Sequence, residues 1–189
     1  VTGLTADFMG LMNGTFYDFY ITTVCGMDSS MQVGPISLGT PPGCGGDFFD
    51  SGGPNGVYSA FENDTTIICP DVMGEVVTLT FTSVAIESAG GTGGGGAPTP
   101  PGCWDYIQIY NGADATADPL LFEGCGTPTT NPSDPNLTLS PGDFFTSTDA
   151  TGCITVVFIS DDIVQLDGFE ATVVCSPPIT CVQPTNVSA

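Results

Sequence analysis

Lysine, arginine and histidine are all absent from this chain of 189 residues, while aspartate and glutamate number 21, for a formal charge of -21. An average soluble domain is about a quarter charged, with both signs interspersed, so chance does not explain the missing bases. A window cut from a longer protein and selection against cations would each leave this pattern. In either case nucleic-acid phosphates and anionic lipid are excluded as partners, because nothing in the chain can neutralise them. Divalent cations, neutral sugars, basic proteins and further copies of the chain are the favoured partners. The absence of histidine and lysine removes catalytic triads, Schiff bases and zinc hydrolases, and cysteines committed to disulfides remove thiolate nucleophiles. Paired carboxylates could in principle cleave glycosides, but no motif marks a cleft, and a non-enzyme is expected. No apolar run reaches the 18 residues of a membrane-spanning helix. A charged segment leading into an apolar one is also missing, and the expectation is that any signal peptide has been removed.

Eight cysteines, 26 glycines and 16 prolines, with few helix formers, describe an oxidised, extracellular β-protein. Residues 15–24 alternate, with Tyr17, Phe19 and Ile21 on one face, and period 2 in aromatic and β-branched residues predicts a strand. Further strands are predicted at 33–39, 65–69, 75–83, 104–110, 119–122, 153–160 and 168–175, and no segment has helical periodicity. Short strands punctuated by Gly, Pro, Asn and Asp argue for a sandwich. Residues 88–102 are rich in glycine and read as a loop, and Cys175 to Cys181 as a short stiff linker.

The segment Cys44-Gly-Gly-Asp-Phe-Phe-Asp-Ser-Gly-Gly-Pro-Asn-Gly-Val-Tyr58 resembles the opening of a CUB domain, in the form found in bacterial secreted multidomain proteins. The likeness continues through Ile68-Cys69-Pro70, Leu79 to Ser83, Glu87, Cys103-Trp-Asp-Tyr-Ile-Gln-Ile-Tyr-Asn-Gly112, Gly124-Cys-Gly126, Phe158-Ile-Ser-Asp161 and Gly168-Phe-Glu-Ala171. It implies a jelly-roll-like sandwich of two antiparallel sheets over 44–175, paired by Cys44–Cys69, Cys103–Cys125 and Cys153–Cys175 in family order. The flanks resemble fibronectin type III domains. Residues 1–40 are similar to the last strands of one, with Leu11 and Tyr17 at the spacing of its tyrosine corner. Residues 176–189 would form a linker and the first strand of the next. Such a partial sandwich leaves sheet edges and an apolar face open. The expected function is cohesion or binding within a modular surface adhesin or extracellular filament; the alternative is an accessory module that steers a secreted hydrolase.

The resemblance implies the ligands of calcium-binding CUB domains, a Glu after the first long strand, an Asp in the segment opened by a cysteine and an Asp in a Ser-Asp pair. These positions are Glu87, Asp105 and Asp161, with a backbone carbonyl near Asp162 or Ile163 in addition. Clustered carboxylates repel and force one pKa upward, and calcium, which prefers hard oxygen ligands, turns that repulsion into coordination. Ordinary solvated loop acids are the plainer reading, and Ala85 stands where the family often has another Asp. Asp64-Thr65-Thr66 resembles the acceptor of a bacterial O-glycosylation system, with Thr65 as the modified residue. The N-glycosylation triplets at Asn13, Asn63, Asn136 and Asn186 read as plain loops. Trp104, Tyr106 and Tyr110 read as packing rather than a sugar platform, and Phe48-Phe49 and Phe144-Phe145 should each turn one ring inward. Cys25 and Cys181 lie outside the six-cysteine framework. The fibronectin-like resemblance implies that each bonds outside its own copy, and that Cys181 of one copy meets Cys25 of the next.

Overall fold

The computed structural model describes residues 8–89, 100, 102–116, 118–127, 132 and 134–179. The glycine-rich segment 90–99 and the tail 180–189, Cys181 and Asn186 included, lie outside the described residues.

Four strands open the chain: β1 (Phe16–Ile21), β2 (Val24–Cys25), β3 (Asp28–Ser29) and β4 (Val33–Gly39). The single strand expected over 15–24 is divided. The β1–β4 register shifts between Phe19 and Ile21, and β2 and β3 then form a hairpin turning at Gly26. Tyr17 and Phe19 share the more covered face as expected, but Ile21, beyond the shift, is exposed. The Met12 amide donates to the Tyr17 hydroxyl at 2.8 Å. Among the described residues β1 and β4 make a two-stranded sheet.

The remaining strands form two layers. One sheet runs in the order β10 (Phe144–Thr146), β7 (Val76–Ala85), β12 (Gly168–Ser176), β5 (Asp47–Phe49). The other runs β6 (Asn63–Ile68), β11 (Ile154–Ile159), β8 (Tyr106–Tyr110), β9 (Leu120–Gly124). All pairings within them are antiparallel. The period-2 pattern of β7 and β12 turns Leu79, Phe81, Ala171 and Val173 inward, against Ile107, Ile109, Val156 and Phe158 of the facing sheet. Phe169 makes edge-to-face contacts with Phe48 and Phe81 of its own sheet and with Phe158 of the facing sheet, and the last of these joins the layers. β11 lies between β6 and β8, and the residues of both its faces are covered, which suits its unbroken apolar run. As alternation requires, Phe48 is buried beside a half-buried Phe49, while Phe145 packs on the core and Phe144 is exposed. Trp104, Tyr106 and Tyr110 are half-buried, and Tyr106 packs against the core.

The disulfides correct the family order in two of three cases. Cys103–Cys125 is present, but the other bonds are Cys44–Cys175 and Cys69–Cys153. Strand register explains both. β5 pairs with β12 through Asp47 and Thr172, and the ladder runs on through Gly45, Gly46 and Val173, which sets Cys44 opposite Cys175. β6 pairs with β11 through Ile68 and Ile154, so Cys69 and Cys153 are the next facing pair. Cys44 does approach the segment beyond Cys69, since its amide donates to Asp71, but its sulfur bonds across the ladder instead.

Candidate metal centre

β8 and β11 run antiparallel with Tyr106 opposite Ile159. The residues just outside that pair, Asp105 before β8 and Asp161 after β11, are therefore brought together at one end of the sheet. The Asp161 amide donates to Asp105 Oδ1 at 2.7 Å and fixes their relation. Glu87 arrives from the opposite layer, past the end of β7, and its carbonyl accepts from the amides of Trp104 and Asp105. One carboxylate oxygen from each of Glu87, Asp105 and Asp161 lies within 4.8 Å of the others.

Asp105 is almost wholly buried, and Tyr58 beneath it is too. The Tyr58 hydroxyl donates to Asp105 Oδ2 at 2.5 Å and accepts from the Glu87 amide at 3.3 Å. Its ring packs edge-on against Phe158, so the tyrosine ties the acid cluster to the core. Burial pushes the Asp105 carboxyl above the usual range, against the hydrogen bonds from Tyr58 and the Asp161 amide. Burial first, then the charges of Asp105 and Asp161, push Glu87 up to about 7. Burial and the Asp105 charge push the Tyr58 phenol upward. Three acids held together with no cation in the chain to balance them form a site with hard-oxygen, divalent-cation chemistry.

The sequence reading named all three acids. Asp162 is exposed, and its carboxylate does not join the group. Tyr58 is the residue it missed as a functional one. Its signal was a lone tyrosine in the opening motif, whose partner lies 47 residues away. Thr65 lies exposed on β6, an edge strand. Cys25 is exposed and unpaired among the described residues.

The two four-stranded layers have the sandwich fold of CUB domains. The solved CUB1-EGF-CUB2 region of human MASP-1/3 superposes with a TM-score of 0.50 at 21% identity, covering 70% of this chain and 42% of that one. The MASP-1 CUB2 domain, solved bound to Ca2+, matches with a TM-score of 0.43 at 22% identity, covering 68% of this chain and 90% of that one. Human cubilin is 31% identical over 145 residues, 72% of this chain, and the chain spans 3% of cubilin's length. No family model matches the chain.

Proposed function

We propose that this chain is a non-catalytic, extracellular cohesion module in which a calcium ion on Glu87, Asp105 and Asp161 locks one end of the sandwich. The reading rests on the convergence of those three carboxylates within 4.8 Å in a chain without a single basic side chain. Calcium takes six to eight oxygens, so backbone carbonyls near Asp162 and water would complete its shell. The likeness to cubilin over 72% of the chain, and the sandwich shared with the CUB1-EGF-CUB2 region of MASP-1/3, support a CUB-type module. Three disulfides suit an oxidising environment, and among the described residues no helix is long and apolar enough to cross a membrane.

The module would sit in a surface adhesin or extracellular filament and meet copies of itself or neighbouring repeats, with a basic protein or a glycan as further partners. The two-stranded β1–β4 sheet supports this, because among the described residues no further strand pairs with its edges and Phe16, Ile21, Val33 and Ile36 are exposed on it. Residues 1–40 would be the end of a fibronectin-like unit and residues 176–189 the linker and start of another. Thr65, exposed on its edge strand, would carry an O-linked glycan.

Calcium titration of chelator-stripped protein tests the central reading. A ligand that binds only the native state raises the melting temperature, and Asp105→Ala should abolish the rise. An unchanged melting curve at millimolar calcium would rule the site out.

A further inference from the structure

A second acidic site lies beside the metal centre, where the N-terminal segment meets the sandwich. A cavity of about 690 Å³ opens there, lined by Phe16 on one side and by Asp50, Ser59, Glu62, Phe158 and Phe169 on the other. Glu62 is only 8% exposed. Its Oε1 accepts from the Ser59 amide and the Ser51 hydroxyl, while its Oε2 is buried and has no partner. A buried carboxyl oxygen left without a partner in this way is costly. Asp50 is also buried, and its two oxygens accept from the amides of Gly52 and Phe169 at 2.8 and 2.7 Å. The charge of Glu62 is felt by both Asp50 and Asp105, so the acids form a string from the cavity to the metal centre. A calcium ion at the far end would leave Asp50 and Glu62 unbalanced.

We propose that this cavity binds an organic cation, an ammonium or guanidinium group on an aliphatic stem, with Glu62 Oε2 as its anchor. The chemistry selects this class over a second metal. Asp50 accepts a backbone amide on each oxygen, the other two acids lining the cavity, Asp47 and Asp64, are exposed, and among the described residues the only three-acid cluster is the one at Glu87, Asp105 and Asp161, so no shell of six or more oxygens converges here. The space far exceeds a metal ion, and aromatic rings around it suit a cationic head and its methylenes. No side chain of these 189 residues can supply the cation, because none is lysine, arginine or histidine. The inference goes beyond the calcium reading and does not depend on it.

Calorimetric titration with n-butylamine, n-butylguanidinium and a blocked peptide carrying one Lys and one Arg tests it, with calcium and again with chelator. Saturable binding at about millimolar amine is expected. Glu62→Gln keeps the shape and should weaken binding about tenfold or more. Phe16→Ala, on the half-exposed opposite wall, should weaken it without touching the carboxylate. Glu87→Gln should leave it unchanged. A peptide that binds at least about tenfold tighter than the free amines identifies a protein side chain as the ligand, and equal affinities identify a small amine. No saturable heat, equal binding by folded Glu62→Gln, or loss in Glu87→Gln would overturn the proposal.

Discussion

Glu87 is the residue whose titration reports on the three-acid cluster. Its carboxyl is raised from 4.5 to about 7, and Asp50 from 3.8 to about 6. A carboxyl with a raised pKa binds its proton more tightly folded than unfolded, so the native state holds more protons between the two values. Stability of the calcium-free protein should therefore fall as pH rises from about 4 to about 7 and level off above. Saturating calcium removes the Glu87 part of that slope, and the calcium-induced rise in melting temperature should shrink between pH 8 and pH 6. A calcium effect that is the same at both pH values would separate Glu87 from the metal. Tyr58 gives a second test at this scale. Tyr58→Phe keeps the ring on Phe158 but leaves Asp105 Oδ2 without its donor, and should cost about 1–3 kcal/mol in urea unfolding. The three acids were legible in the sequence because each stands beside a strong strand in an ordered motif. The orphaned oxygen of Glu62 was not, since it depends on how Ser51 and Ser59 share the other one.

At the scale of elements, long strands were legible and short ones were not. The alternating or unbroken apolar runs of β7, β11 and β12 carry enough residues to show their period, and their bounds were read to within a residue or two. β5 and β10 have three residues each, too few for a period, and only their paired phenylalanines hinted at one ring in and one out. Register was not legible, and the disulfide pairing failed with it. Consecutive cysteines look paired along the chain, whereas the bonds follow which strands lie side by side. Non-reduced peptide mapping should recover Cys44–Cys175 and Cys69–Cys153, and peptides joining Cys44 to Cys69 would contradict the register. These bonds span separations of 131 and 84 residues. In the chain-entropy picture each then stabilises by about 4.5–5 kcal/mol, against about 3 for the short loops of the family order. Replacing Cys44 and Cys175 together by Ser should lower the denaturant midpoint accordingly.

The whole molecule poses an electrostatic problem that any assembly must solve. Copies carrying a formal charge of -21 repel one another, and at low ionic strength that repulsion reaches across tens of ångströms. Self-association should therefore be weakest in dilute buffer with chelator and strengthen with salt, and more sharply with millimolar calcium, which both screens and neutralises. Phe16, Ile21, Val33 and Ile36 are exposed on the N-terminal sheet, and Cys25 stands exposed on the adjoining hairpin. With six cysteines closed within the sandwich, Cys25 and Cys181 remain to pair. If the tail of one copy adds to the open sheet of the next, a Cys25–Cys181 bond would cross each junction and yield a covalent ladder. Non-reducing denaturing electrophoresis after oxidation in calcium should then show a series of multiples that collapses on reduction. Cys25→Ser should leave only monomer under the same conditions, with its calcium-induced stabilisation intact. Multiples that persist in Cys25→Ser, or a Cys25–Cys181 bond confined to one copy, would refute head-to-tail assembly and leave the calcium site standing, because the two rest on opposite ends of the argument: one on carboxylates inside the sandwich, the other on an unfilled edge outside it.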